Sequence, residues 1–198
     1  MSKNKKILIT GGPGSGKTTL IKKLKMLKYN CVDEVVRSIT TEGKKNGTDQ
    51  LFLENPIAFT KKLIDLRIIQ FKKNDNKKLT FFDRGIHESL AYLNFVGTKF
   101  DIELIDKCRN FKYDLVFLLP PWKEIYKKDD CRYESFDESI KIFDEIKKIY
   151  ILFNMTIIQL ENESVESNGI SFQIVEELVK KSPGWRLSLQ THKWIGVL

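Results

Sequence analysis

The sequence predicts an α/β fold, a three-layer α/β/α sandwich in which helices cover both faces of a parallel five-stranded sheet. Short apolar segments alternate with longer amphipathic ones, and the first apolar segment runs directly into a glycine-rich loop and a helix. Strands that alternate with helices are typical of βαβ units, whose parallel sheets are buried on both faces. With 198 residues and 41% hydrophobic residues, the chain is long enough for one domain with a substantial core, which we expect over residues 1–181.

The strands are predicted from short apolar runs at residues 6–10, 29–32, 79–82, 115–119 and 156–160. Helices are predicted where apolar residues recur at helical spacing, over 19–27, 56–73, 86–96, 137–153 and 171–181. Pro56 is tolerated in the first turn of its helix, and Pro120 ends the fourth strand. The last segment, 182–198, contains two of the three tryptophans and no acidic residue, so we expect it to be a tail outside the domain.

The loop between the first strand and the first helix matches G-x-x-x-x-G-K-[S/T], the phosphate-binding P-loop. Glycines allow successive backbone N–H groups to turn toward a phosphate, and the helix N-terminus adds partial positive charge. The motif predicts that Lys17 contacts the β- and γ-phosphates of ATP and that the Thr18 hydroxyl is a ligand of Mg²⁺. The predicted nucleotide-binding residues are Gly11, Gly12, Pro13, Gly14, Ser15, Gly16, Lys17, Thr18 and Thr19.

A second motif, Phe-Phe-Asp-Arg-Gly, stands at the end of the third predicted strand. An acid at this edge of the sheet would lie beside the P-loop, where Asp83 is positioned to hold a water of Mg²⁺ or to accept a proton from an attacking hydroxyl. Arg84 would then bind substrate or stabilise developing negative charge. The alternative is a turn that ends the strand, because Asp and Gly are both common in turns.

Two further segments are candidates for substrate binding and closure. Glu34 and Arg37 follow the second strand at helical spacing, so they would share one face and bind an acceptor; a surface ion pair is the alternative. Residues 123–136 are placed to form a lid in which Arg132 closes over the phosphates; a solvated charged turn is the alternative. His87, close after the Asp-Arg pair, either touches substrate or begins its helix without a functional role.

Composition narrows the possible partners and compartments. No apolar run approaches the roughly 20 residues needed to span a membrane. The net charge of +8 comes from lysines spread along the whole chain, which favours a solvated surface over a dedicated nucleic-acid interface. The three cysteines form no C-x-x-C pair, which is typical of free thiols in the cytoplasm. The sequence does not indicate an oligomeric state.

Together these motifs resemble a family of small P-loop ATPases or kinases that carries the label AAA domain but is distinct from the AAA+ machines. The resemblance extends over about residues 5 to 181 and rests on five matches: the P-loop, Glu34 with Arg37, Asp83-Arg84-Gly85 followed by Ser-Leu-Ala-Tyr, Pro-Pro-Trp at 120–122, and Arg132 with Glu134-Ser135. The chain is also similar, more distantly, to the kinase domain that phosphorylates nicotinamide riboside. The resemblance implies a nucleoside-monophosphate-kinase-like fold, strand order 2-3-1-4-5, and binding of ATP with Mg²⁺.

Two functions are consistent with these features. The first is transfer of the ATP γ-phosphoryl group to a small nucleoside-like or riboside-like acceptor, which the acceptor-side pair, the Asp-Arg pair and the lid favour. The second is a switch-type NTPase that hydrolyses ATP or GTP together with a macromolecular partner. The identity of the acceptor is not readable from the sequence, because acceptor pockets are built from variable loops such as residues 40–50.

Overall fold

The structure is a computed structural model that describes residues 4–36, 39, 55–126 and 134–160. In this part of the chain five strands form one sheet in the order β2-β3-β1-β4-β5, and every neighbouring pair is parallel. The strands are β1 Lys5–Gly11, β2 Asn30–Val32, β3 Leu79–Asp83, β4 Leu115–Leu119 and β5 Ile157–Gln159. The predicted fold class and strand order are therefore confirmed.

Helices fill the connections between the strands: α1 Lys17–Met26, α2 Pro56–Lys73, α3 Glu88–Phe95, α4 Ile102–Arg109 and α5 Phe136–Leu152. Their starts follow from local capping. The Asn55 side chain accepts a hydrogen bond from the Ala58 amide before α2, and Ser135 forms a reciprocal capping box with Glu138 before α5. Helix α4 was not predicted from the sequence, because it has only eight residues and buries only Leu104 and Cys108.

Two apolar clusters lie on opposite faces of the sheet. Leu8, Phe82 and Val116 pack toward α2, α3 and α5, whereas Ile7, Phe81 and Phe117 pack toward α1. Because neighbouring residues of a strand point to opposite faces, continuous apolar strands such as β4 are buried on both sides. Because β1, β2 and β3 pair in parallel, their carboxyl ends lie at the same edge of the sheet.

The predicted helix 171–181, the loop 40–50 and the tail 182–198 lie outside the described residues, as do Arg37, Arg132 and the middle of the predicted lid, residues 127–133. Within the described part of the chain, no helix combines the length and apolar character required to cross a membrane.

Candidate active site

The glycine-rich loop after β1 requires glycine for steric reasons. Gly11 has a φ of 147° and Gly16 a φ of 82°, and side chains are strained in this part of conformational space. A Cβ atom on Gly11 would also collide with the carbonyl oxygen of Leu119 at the end of β4. At Gly12 a Cβ atom would lie 2.5 Å from the carbonyl oxygen of Ser139. The loop is therefore held against β4 and α5 in a form that only glycine permits.

The start of α1 has the properties of an anion site. Gly16 occupies the N-cap without a side-chain hydrogen bond, and the first turn contains no acidic residue. The first amide groups of a helix need acceptors, and a phosphate is well suited to provide them. Thr18 and Thr19 lie exposed in this first turn. The loop and helix therefore fit the phosphate groups of a nucleotide.

Lys17 is the buried cation of this loop. Its Nζ atom donates to the carbonyl oxygens of Gly11 (2.9 Å) and Gly12 (2.7 Å) and to Ser15 Oγ (3.1 Å). Burial, assisted by the positive charge of Arg84, lowers the pKa of Lys17 to about 7. An ammonium group that is this poorly solvated gains strongly from an anionic ligand, which fits the predicted contact with ATP phosphates.

Asp83 ends β3 and lies directly beside β1, with Ile9 as its partner in the register. Its side chain is partly exposed. Burial raises the pKa of Asp83, although the nearby positive charges of Lys17 and Arg84 oppose the shift. The described residues contain no group of three or more metal-binding side chains. Mg²⁺ keeps several waters and binds phosphate oxygens, and Thr18 and Asp83 remain its predicted protein ligands.

Beside the P-loop lies a set of four ionised side chains, here called the buried charge cluster: Glu34, Arg67, Arg84 and Glu88. Glu34 Oε1 lies 2.8 Å from Arg67 Nη2, and Glu34 Oε2 is paired with Arg84 Nε. Arg84 Nη1 is paired with Glu88 Oε1. Each acid thus contacts an arginine, as buried charges require, and the four charges cancel.

The cluster joins elements that are far apart in sequence. Glu34 follows β2, Arg67 lies on α2, Arg84 follows β3 and Glu88 begins α3. The hydroxyl of Thr10, the residue before Gly11 in β1, donates to Glu88 Oε2 at 2.5 Å. In addition, the charges of Arg84, Glu88, Asp83 and Glu34 all affect the pKa of Lys17. The P-loop and the cluster therefore form one continuous site at the carboxyl edge of the sheet.

The ionised state of Glu34 depends on its two partners. Burial alone would raise the pKa of this carboxyl group, but the guanidinium groups of Arg67 and Arg84 outweigh it and hold the pKa below its ordinary value. Arg84 is further fixed by Tyr92, whose hydroxyl lies 3.2 Å from Arg84 Nη1. The result is a carboxylate with a fixed direction beside the phosphate-binding loop.

Tyr126, in the first part of the predicted lid, lies against the P-loop and contacts the last part of the lid. A Cβ atom on Gly14 would come within 2.5 Å of the Tyr126 ring, so this aromatic side chain lies close against the loop. The Tyr126 hydroxyl donates to the carbonyl oxygen of Glu134, and its ring meets Phe136 edge-on at 5.6 Å. Trp122 is buried rather than exposed. The intervening residues 127–133, including Arg132, lie outside the described part.

His87 does not belong to this site, which corrects the expectation that it touches substrate. Its side chain is fully buried, with Nε2 3.0 Å from the carbonyl oxygen of Cys108 and the ring 4.3 Å from that of Phe153. Burial lowers the pKa of His87 to about 4. The physical reason is helical geometry: one residue later, Glu88 points toward Arg84, whereas His87 is turned about 100° away into the core.

Sequence reasoning placed Glu34, Asp83 and Arg84 at the site but missed Arg67, Glu88 and Tyr92. Signals for these residues do exist. Glu88 and Tyr92 follow Arg84 at intervals of four residues, and this spacing places Glu88 and Tyr92 on one face of a helix. Arg67 interrupts the buried apolar face of α2, where its neighbours are Thr60, Leu63, Ile64 and Phe71. A charged residue at a core position generally needs a buried partner.

The chain belongs to the AAA domain family, whose model matches residues 6–167. Among solved structures it is similar to a deoxyadenosine kinase from M. mycoides with the products dCMP and dCDP bound, with a TM-score of 0.65 and 16% identity over 89% of this chain and 100% of that chain. It is also similar to the NadR protein in complex with NR, with a TM-score of 0.67 and 17% identity over 94% of this chain and 54% of that chain. At these identities the likeness establishes the fold.

One short sequence match was also found. Over 26 residues the chain is 65% identical to a 7-carboxy-7-deazaguanine synthase from Prochlorococcus marinus. The matched stretch covers 13% of this chain and 12% of the synthase, so it carries no information on the function of the whole chain.

Proposed function

We propose that the protein is a Mg²⁺-dependent phosphotransferase that moves the γ-phosphoryl group of ATP to a hydroxyl group of a small nucleoside-like or riboside-like metabolite. The observation that carries this proposal is the buried charge cluster beside the P-loop. It offers a fixed carboxylate, Glu34, next to a guanidinium group, Arg84, at the edge where phosphates are expected to bind. A hydroxyl acceptor needs this pairing: a hydrogen-bond acceptor for its proton and a positive charge for the growing negative charge.

Each side chain then has a defined role. Lys17 and the amides of the glycine loop hold the phosphates, and Thr18 and Asp83 hold the metal, which when bound offsets phosphate charge during transfer. Glu34 or Asp83 accepts a hydrogen bond from the acceptor hydroxyl and directs its oxygen toward the phosphorus. Arg84 stabilises the charge that develops in the transition state. The predicted contribution of Arg132 from the lid is part of the same proposal.

The charges favour an acceptor that enters as a free hydroxyl compound rather than as a phosphate ester. Binding of a phosphate dianion typically requires arginines that are not already neutralised. Among the described residues of the cluster, both arginines are paired with acids, and Asp83 adds a further negative charge. The structural similarity to a deoxyadenosine kinase and to NadR in complex with NR supports the same class of acceptor.

The test is a screen with γ-labelled ATP over nucleosides, ribosides and their 5′-phosphates, with buffer alone as reference. We expect slow basal hydrolysis and at least about tenfold stimulation by an unphosphorylated acceptor, with the label appearing on that acceptor. If the label always ends as free phosphate, and only a protein or nucleic acid stimulates turnover, the switch-type NTPase is the correct assignment.

A further inference from the structure

Arg67 occupies a position where a charge is costly. It lies on the apolar face of α2 between Ile64 and Phe71, and 5% of it is exposed. Buried ion pairs contribute little net stability, and apolar residues of similar size often stabilise such positions as well or better. Stability therefore does not explain why an arginine occupies this position, and the contacts of its guanidinium group indicate another role.

The Arg67 guanidinium connects three separate elements. One nitrogen, Nη2, lies 2.8 Å from Oε1 of Glu34 after β2. The other, Nη1, donates to the carbonyl oxygen of Gly85 at 2.7 Å and to Ser89 Oγ at 3.0 Å. Gly85 directly follows Arg84, so the planar fork of Arg67 fixes Glu34 relative to the turn that carries Arg84. A lysine, with a single nitrogen, does not reproduce this arrangement.

The other contacts of Glu34 show the direction in which Arg67 holds its carboxylate group. With Oε1 held by Arg67, the second carboxylate oxygen is directed to Arg84. The charged groups that face Glu34 are Arg67 from α2 and Arg84 from the turn after β3, while Lys17 and Asp83 act from the P-loop edge. No hydrogen bond or ion pair in the described structure joins Arg67 to the P-loop itself; its connection to that loop runs through Glu34, Arg84 and Glu88.

We propose that Arg67 is a positioning residue: it holds Glu34 with one oxygen turned toward Arg84 and the acceptor hydroxyl, so that it governs use of the acceptor and not binding of ATP. This inference rests on the proposed phosphotransferase function. Under this proposal the site has two parts: Arg67 of α2 positions the groups that meet the acceptor, and the P-loop binds the nucleotide.

The kinetic test compares Arg67→Lys with wild type in the full chain, using the acceptor found in the screen. We expect kcat/KM for the acceptor to fall at least about thirtyfold and the dissociation constant of ATP to change less than about threefold, since one charge-assisted contact to Glu34 is lost or misdirected. The matched control is Lys107→Met, which removes an exposed ion pair between α4 and Asp65 of α2 and should leave both values unchanged. Normal acceptor kinetics in folded Arg67→Lys would overturn the inference.

A second measurement does not depend on activity. The Glu34 carboxyl group is followed by ¹³C NMR in protein labelled at glutamate, with the signal assigned from Glu34→Gln. In Arg67→Met we expect the pKa of Glu34 to rise by at least about one unit, because a buried carboxylate loses one of its two cations. In Lys107→Met it should not move. If Arg67→Met does not fold, Arg67→Lys and Ser89→Ala are titrated instead, and the loss of the Ser89 anchor should give a smaller rise.

The kinetic test and the Glu34 titration distinguish a failure of the proposed function from a failure of the positioning role. If wild type transfers phosphate to no small acceptor, the proposed function fails, and the Glu34 titration still decides whether Arg67 controls this carboxylate. An unchanged Glu34 pKa in folded Arg67 variants would overturn the positioning role whatever the reaction is.

Discussion

The P-loop and the buried charge cluster lie side by side but are built in different ways. The P-loop is made from nine consecutive residues, and its shape depends on backbone conformations that only glycine adopts easily. The cluster is made from four side chains that lie at positions 34, 67, 84 and 88, and its shape depends on the packing of two strand ends and two helices. The first is local and is set by steric constraints, whereas the second is tertiary and is set by charge compensation.

This difference predicts a division of labour between the two regions. Substitutions in the P-loop should act on nucleotide binding, and substitutions in the cluster should act on the acceptor. A P-loop variant that binds ATP normally, or a cluster variant that loses ATP, would contradict the division.

The largest effect is expected for Lys17→Ala. Its ammonium group is the buried cation of the loop, and one charge-assisted contact is worth roughly 1.5–3 kcal/mol. Turnover should be abolished and ATP binding weakened about ten- to a hundredfold, with the fold intact by circular dichroism. Titration calorimetry and label transfer measure both quantities. Wild-type turnover in the purified variant would mean that the loop is not a nucleotide site.

Asp83→Asn tests the residue at which the two regions meet. If Asp83 supports the metal and the acceptor hydroxyl, the rate should fall at least about a hundredfold. Because the side chains are nearly isosteric and Asp83 is partly exposed, the melting temperature should barely change. A variant that is unstable but has normal activity per folded molecule would instead support a purely turn-forming role for Asp83.

Gly11→Ala tests whether the loop is sterically determined. A Cβ atom here meets the carbonyl oxygen of Leu119 at a φ of 147°, so unfolding free energy should fall by about 3 kcal/mol. Gly97→Ala is the matched control, because Gly97 has a φ of 70° but nothing within 4 Å of a Cβ atom. Strain alone should cost about 1 kcal/mol there. Equal losses in urea denaturation would show that the contact with β4 is unimportant.

The smallest effect is expected for His87, which lies just after the turn at Arg84 and is buried in the core. Its folded pKa of about 4 is below the ordinary value of 6.5, so the unfolded chain binds the proton first and stability falls as pH drops from 6.5 toward 4. At pH 5.5 the loss is about 1 kcal/mol. His87→Gln should remove this part of the pH dependence in denaturation curves between pH 7 and 5. An unchanged slope would mean that His87 does not titrate separately in the two states.

The contrast between the local P-loop and the tertiary charge cluster explains which features could be predicted from the sequence. The strands were found within one or two residues because continuous apolar runs signal burial on both faces, and the P-loop was found because its chemistry is contiguous. Helix α4 was missed because it has only eight residues and buries only two side chains, Leu104 and Cys108. Glu34 and Arg84 were found through short motifs, but Arg67 was not, because its partner Glu34 lies 33 residues away in sequence and meets it only in the folded chain. Glu88 was missed although its partner Arg84 lies only four residues before it.

His87 was misplaced for a related reason. Its closeness in sequence to Asp83 suggested closeness in space, but the turn at Arg84, with a φ of 69°, and the start of α3 direct it to the opposite side. At the first turn of a helix, adjacent residues face different surroundings, and the sequence alone does not determine which of them faces the site.

The most direct test of the division of labour is Glu34→Gln compared with wild type in three assays: ATP binding, basal hydrolysis and transfer of the γ-phosphoryl group to the acceptor. We predict an ATP dissociation constant within about threefold of wild type, and acceptor transfer reduced at least about a hundredfold and by a larger factor than basal hydrolysis, since Glu34 is paired with Arg67 and Arg84 on the acceptor side of the site. A variant that binds ATP poorly yet transfers phosphate normally once ATP is saturating would contradict the division of labour.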